Sequence, residues 1–264
     1  MSAEPTGAAP EPILSLRGIH KSFGAVAALT DVALDVFPRE VVAVVGDNGA
    51  GKSTLVKILS GVHRADRGSL VFAGRPASIG GPADARALGI ATVFQDLALC
   101  ENLDVVANLF LGREVRRARL DEVAMEVRAW ELLRQLSAKI PSVRVPVASL
   151  SGGQRQTVAI ARSLLGDPSV VILDEPTAAL GVAQTAEVLD LVERLRERGL
   201  GVIMISHNMA EVRAVADRVA VLRLGRNNGV FDAREASAQD IIAAVVGADA
   251  LPRRAHRRED RGDE

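Results

Sequence analysis

Two segments of this chain hold the residue types that phosphoryl chemistry needs. The first, Gly46-Asp47-Asn48-Gly49-Ala50-Gly51-Lys52-Ser53-Thr54, reads G-x-x-x-x-G-K-[ST]. Glycines at 46, 49 and 51 let the backbone wrap so that its N–H groups meet phosphate oxygens, and a helix starting behind them adds a favourable field for anions. Lys52 is placed to reach β- and γ-phosphates, and the Ser53 hydroxyl to ligate Mg²⁺. The second segment is Asp174-Glu175-Pro176, where two carboxylates end the apolar run Val170-Val171-Ile172-Leu173. Asp174 would hold Mg²⁺ directly or through water. Glu175 would accept a hydrogen bond from the attacking water and align it on the γ-phosphorus. Taken alone, the first is a glycine-rich turn and the second an acidic turn before a helix-stopping proline. Together they describe a nucleoside triphosphate site with a means of hydrolysis.

A third segment, Leu150-Ser151-Gly152-Gly153-Gln154-Arg155-Gln156, has a partly structural explanation. Ser151 with Gln154 three residues later is a capping box for a helix running to Leu165. The cap accounts for Ser151 and Gln154 but not for Gly152 and Gly153, which weaken a helix. Bare N–H groups at such a start make a second anion site, roughly 100 residues from the first.

These groups work only if the fold brings them to one place. Val41-Val42-Ala43-Val44-Val45 has the composition of a buried parallel strand, and Leu55, Ile58 and Leu59 recur at helical spacing after the loop. That strand–loop–helix context is what a phosphate-binding P-loop requires. Further β-type runs lie near 13–19, 32–36, 69–72 and 90–93, followed by a helix-rich middle in which Val123, Val127, Trp130 and Leu133 fall on one predicted face. Beyond 154, buried strands at Val170–Leu173, Val202–Ile205 and Val219–Leu222 alternate with helices, one of them spanning 182–198 through Val188, Leu191, Val192 and Leu195 and closed by Gly199. The alternation predicts a parallel sheet with helices on both faces. Its C-terminal edge, where Asp174 and Glu175 fall, is where ligands of α/β folds bind.

A chain of 264 residues, 48% hydrophobic, can bury a sizeable core in one domain. Its net charge of −1 gives no electrostatic case for nucleic acid or an anionic membrane. A single cysteine, Cys100, excludes an internal disulfide framework and fits a reducing compartment. No apolar run reaches the length of a membrane span, and no signal peptide is evident, so a cytoplasmic protein is expected. Residues 1–12 read as a disordered leader and 248–264 as a charged, solvated tail.

The order and spacing of the P-loop, the 150–154 signature, the Asp174-Glu175 pair and an isolated His207 resemble those of ABC-type ATPases over residues 13–247. The resemblance implies an α/β P-loop NTPase fold. Its parts are a RecA-like parallel-sheet core, an N-terminal antiparallel β subdomain and an α-helical subdomain inserted at about 96–155. It also implies head-to-tail pairing with a second ATPase subunit, as a homodimer or otherwise. Each ATP, with its Mg²⁺, would lie between residues 46–54 of one chain and Ser151, Gly152, Gly153 and Gln154 of the other. Gln95, in Val93-Phe94-Gln95-Asp96, matches the glutamine that contacts Mg²⁺ and the attacking water. His207, in Ile205-Ser206-His207-Asn208, matches the histidine that bonds the γ-phosphate, and Phe23 matches the aromatic that stacks on adenine. One departure stands out. The loop after the carboxylate pair, which usually ends in Asp, here reads Ala178-Ala179-Leu180-Gly181.

That form, together with Thr92–Leu103 and Asn108–Glu114, resembles the monosaccharide importers of ribose, xylose and fructose type, in particular their single-domain members. The resemblance then implies transmembrane permease partners, a periplasmic or lipid-anchored solute-binding protein, no nucleic acid, and a place at the inner face of the membrane. An exporter subunit, or an importer of another solute, fits the same residues. A DNA-repair ATPase would place a long coiled coil between the P-loop and the signature, and a translation ATPase would be tandem. Residues 96–111 carry more apolar surface than a loop needs. Val106, Leu109 and Phe110 are expected in the core, and Leu97, Leu99 and Leu103 at a groove for a permease helix.

Overall fold

The computed structural model describes residues 11–115 and 120–247. The expected leader, apart from residues 11 and 12, and the expected tail lie outside them. In chain order the elements are β1 (Leu14–Phe23), β2 (Val26–Val36), β3 (Val41–Val45), α1 (Lys52–Leu59), β4 (Arg67–Phe72), β5 (Arg75–Ala77), α2 (Pro82–Ala87) and β6 (Ile90–Val93). Then follow α3 (Val105–Phe110), α4 (Glu122–Gln135), α5 (Gly152–Ser163), β7 (Val170–Asp174), α6 (Val182–Glu197), β8 (Gly201–Ile205), α7 (Met209–Val215), β9 (Arg218–Arg223), β10 (Arg226–Asp232) and α8 (Ala238–Val246).

The larger sheet has the order β10-β9-β3-β8-β7-β6. Its inner pairings are parallel, and only β10 runs antiparallel at the edge. The smaller sheet, β2-β1-β4-β5, is antiparallel. In β3, alternate residues serve two cores. Val41, Ala43 and Val45 join the core shared with α3–α6, and Val42 and Val44 join the one shared with α1 and the smaller sheet. Burial on both faces is why this strand reads as an unbroken apolar run. Asn227 ties the sheets together by accepting from Ala33 N and donating to Ala33 O.

Two sequence expectations are revised. The β1–β2 hairpin is longer than the runs at 13–19 and 32–36, because the mixed polar and apolar residues between them also pair, as Lys21 with Leu29 and Phe23 with Val26, across a two-residue turn. The buried face of α4 is Met125, Ala129, Leu132 and Leu133, while Val123 is 73% and Val127 54% exposed. The fuller stripe wins because small Ala129 allows close approach and Leu136, just past the helix, extends it. Trp130 packs half-buried at its margin.

Candidate active site

Four adjacent strands, β3, β8, β7 and β6, end at one edge of the sheet, and each delivers a predicted site residue there. β3 runs into residues 46–54, β8 into Ser206-His207, β7 into Asp174-Glu175, and β6 into Gln95 two residues beyond its end. The register fixes their neighbours: Val44 pairs with Ile205, Ile205 with Asp174, and Leu173 with Val93.

In the loop after β3, Gly46, Gly49 and Gly51 all have positive φ, and Ala50 N closes a turn on Asp47 O. At Gly51, the N-cap of α1, a Cβ would lie 2.8 Å from Ala28 O as well as in the left-handed region, so only glycine fits. The Lys52 ammonium is nearly buried and donates to Gly46 O at 2.5 Å and Asp47 O at 3.0 Å. It therefore spans the loop and holds its curvature. Asp47, Asn48, Gly49 and Ser53 are exposed, Ala50 is buried and Thr54 half-buried.

Burial pushes the Asp174 carboxyl above the usual range, and neighbouring Glu175 adds to the rise. Lys52 and Lys57 pull the other way. Carboxylate and serine hydroxyl oxygens are hard donors of the kind Mg²⁺ accepts, and Asp174 and Ser53 are the residues here that carry them. Glu175 has φ 50°, a left-handed conformation that costs a non-glycine residue about 1–2 kcal/mol. Its N–H donates to Ile205 O at 3.0 Å, and its carboxylate Oε2 accepts from His207 Nδ1 at 2.8 Å. Nδ1 must carry the proton in that bond, since the carboxylate can only accept.

Glu211 on α7 gathers the adjoining loops. Its Oε2 accepts from Thr177 Oγ1 at 2.5 Å and Ser206 Oγ at 3.1 Å, and its Oε1 from Asn208 Nδ2 at 3.0 Å. Neither Thr177 nor Glu211 stands out in the sequence.

The other predicted residues sit apart. Phe23 ends β1 half exposed, with its ring edge-to-face with His63 at 5.2 Å and Lys21 Nζ 5.5 Å from its centroid. It is a platform rather than core. The capping box at Ser151 is present: Gln154 N donates to Ser151 Oγ, and Ser151 N donates to Gln154 Oε1. The glycines between them have a second reason the sequence did not reveal. A Cβ at Gly152 would meet Leu180 Cδ2 at 2.8 Å, and one at Gly153 would meet Gln184 Cβ at 3.2 Å. The start of α5 is thus packed close under the start of α6. Gly181 caps α6 without a side-chain bond, so the missing aspartate is not replaced there.

Below Gln95 a groove of about 590 Å³ is lined by Phe94, Leu97, Ala98, Leu109, Leu111 and Arg113, among others. Val106, Leu109 and Phe110 are buried as expected. Of the leucines expected at the groove, Leu97 lines it. Leu99 and Leu103 do not, and Leu99, like Leu97, packs half-buried against the core. The cause is Asn108, fully buried, which bonds both backbone groups of Cys100 and the carbonyl of Leu103, pulling 100–103 onto α3. Arg162 on α5 donates to Leu97 O and Ala98 O, a brace that sequence reading missed because one arginine on a helix carries no signal.

The family model for the ABC transporter matches residues 29–178. The chain is 48% identical to a xylose/arabinose import ATP-binding protein of Sulfolobus acidocaldarius, over 81% of this chain and 86% of that one. It is 44% identical to a fructose import ATP-binding protein of Rhizobium meliloti, over 94% and 98% respectively. Among solved structures it is similar to a dimeric ATP-binding cassette in a post-hydrolysis state with ADP and phosphate. That match has 26% identity, covers 84% of this chain and all of that one, and has a TM-score of 0.70.

Proposed function

The chain belongs to the ABC transporter ATP-binding family, and on that premise we propose that it is the ATP-hydrolysing subunit of an importer for a simple sugar. The observation that carries the hydrolytic part is the convergence of four strand ends on one edge, with Glu175 and His207 hydrogen-bonded there at 2.8 Å. The sugar class rests on the names of the xylose/arabinose and fructose relatives.

In this reading the backbone of 46–54 and Lys52 bind the phosphates, Phe23 the adenine, and Ser53, Asp174 and Gln95 a Mg²⁺ ion. Bound there, Mg²⁺ would neutralise charge on the β- and γ-oxygens. Glu175 orients the attacking water, and His207, bonded to Glu175 through Nδ1, keeps Nε2 for the γ-phosphate. The protein's contribution is positioning and charge stabilisation of a loose phosphoryl transfer. Ser151 to Gln154 lie at the start of another helix and serve the nucleotide of a paired subunit. Residues 96–155 act as a helical subdomain whose groove beside Gln95 receives a permease segment. No helix among the described residues is long and apolar enough to cross a membrane, so attachment runs through that permease, at its cytoplasmic side. A solute-binding protein completes the importer.

The test is ATP turnover by the purified chain, and uptake of labelled pentoses and fructose by vesicles holding the chain with its permease. Absence of Mg²⁺-dependent turnover would refute the hydrolytic reading. Turnover without sugar uptake would refute the solute class.

A further inference from the structure

Glu175 occupies a backbone conformation that a non-glycine residue holds only when its surroundings over-determine it. Ala179, four residues on, is also left-handed at φ 63°, and Gly181 provides no side-chain cap for α6. Between its ends, the segment 175–181 has few backbone bonds of its own to hold this conformation. Its internal backbone bonds are Ala178 N to Glu175 O and Leu180 N to Thr177 O, and its ends are held by Glu175 N to Ile205 O and Thr185 N to Gly181 O. Besides the Glu175 carboxylate's own bond to His207, the segment's side-chain hydrogen bond to another element is that of Thr177, whose hydroxyl donates to the Glu211 carboxylate. The same carboxylate accepts from Ser206 and Asn208, the residues on either side of His207. Thr177 is 7% and Ser206 1% exposed, so their bonds to Glu211 are partly buried and charge-assisted, of the stronger kind, while the Asn208 bond is exposed.

We propose that Glu211 is a positioning residue for hydrolysis, clamping the segment after Glu175 to the loop that carries His207. The inference rests on the hydrolytic reading above. Glu211 is hydrogen-bonded to neither the Glu175 carboxylate nor the His207 imidazole, and it acts by fixing the chain on both sides of their contact. Without the clamp, Glu175 can relax toward ordinary negative φ, which swings its carboxylate away from His207 Nδ1. A nucleotide held by residues 46–54 would be unaffected, because Glu211's side-chain hydrogen bonds go to Thr177, Ser206 and Asn208 and not to that loop.

The experiment compares Glu211→Ala, Thr177→Val and Thr177→Ser in the full chain, by steady-state ATP turnover, fluorescent-ATP titration and thermal melting. Thr177→Val keeps shape and loses the hydroxyl; Thr177→Ser keeps the hydroxyl. The expected result is a roughly 10-fold loss of kcat in Glu211→Ala and a several-fold loss in Thr177→Val, with nucleotide affinity within about 2-fold. Thr177→Ser should match the parent. The double variant Glu211→Ala/Thr177→Val should be little worse than Glu211→Ala, since both break one link. If Glu211→Ala does not fold, the Thr177 pair decides. Equal kcat for Thr177→Val and Thr177→Ser, in a parent whose turnover depends on Glu175, overturns the clamp alone. A parent without ATP turnover overturns the hydrolytic reading and the clamp with it.

Discussion

His207 Nδ1 donates to Glu175 Oε2 across 2.8 Å, joining residues that leave two adjacent parallel strands, β8 and β7. Glu175 is largely enclosed and His207 is 74% exposed, so the pair has an anchored carboxylate and a free imidazole edge. This is the arrangement expected of a group that aligns water beside one that answers to the ligand.

Glu175→Gln keeps the shape and the accepting oxygen but loses base character. Turnover should fall by about 10²-fold or more, with nucleotide affinity retained. An ATP-bound dimer should accumulate, visible as an earlier peak in size-exclusion chromatography. Unchanged turnover at saturating ATP would remove Glu175 from the mechanism.

Lys52→Ala acts on binding instead. The ammonium faces the loop's own carbonyls at Gly46 and Asp47, inside the loop proposed to hold the phosphates. Removing a charge-assisted donor of this kind should weaken nucleotide affinity by about 10- to 100-fold in a fluorescence titration. Ser151→Arg should abolish turnover while leaving monomer binding near normal. Mixing the two variants should restore part of the activity, since one of the two sites then has a sound loop and a sound signature. Mixed dimers that form but stay inactive would count against shared sites.

Asp174 gives a prediction on pH. Its folded carboxyl titrates above the unfolded one, chiefly through burial and then through Glu175. The folded state therefore holds more protons in the window between the two values, and stability falls as pH rises through it. The cost is fully present above the folded value and absent below the unfolded one. Asp174→Asn should melt at a higher temperature than the parent at pH 7–8, and the gap should close as the pH falls below about 4. The same variant should lose Mg²⁺-dependent turnover. A lower melting point at neutral pH would mean the charge is better paired than burial implies.

Residues bound to local chain geometry were legible in the sequence. The P-loop, the capping box at Ser151 and the helix through Val188, Leu191, Val192 and Leu195 depend on spacing, and the structure has all three. The parallel sheet was readable from strand alternation, and with it the edge on which Asp174, Glu175 and His207 meet. The misses are tertiary. The buried face of α4 turned on Ala129, which a count of large apolar residues passes over. Arg162 and Glu211 act on loops remote in sequence, and the reason for Gly152 lies in Leu180, so no local pattern marks them.

The groove beside Gln95 yields the last prediction, at a residue different from the one the sequence favours. Leu99 is poor for the purpose because it does not line the groove and is half-buried against the core, where a charge would cost stability. Leu111 lines the groove and is 51% exposed, at the end of α3 where Gly112 turns the chain away. An exposed position tolerates a charge within about 0.5 kcal/mol, so Leu111→Asp should shift the melting temperature by no more than roughly 2 °C. Basal ATP turnover should also persist. A carboxylate in place of Leu111's apolar surface in the groove loses its water when a permease helix enters, and that cost falls on the complex alone. Co-purification with the permease should therefore drop sharply, and sugar uptake by reconstituted vesicles with it. An unfolded Leu111→Asp chain would make Leu111 part of the core. A folded chain that transports at the parent rate would place the permease on another surface.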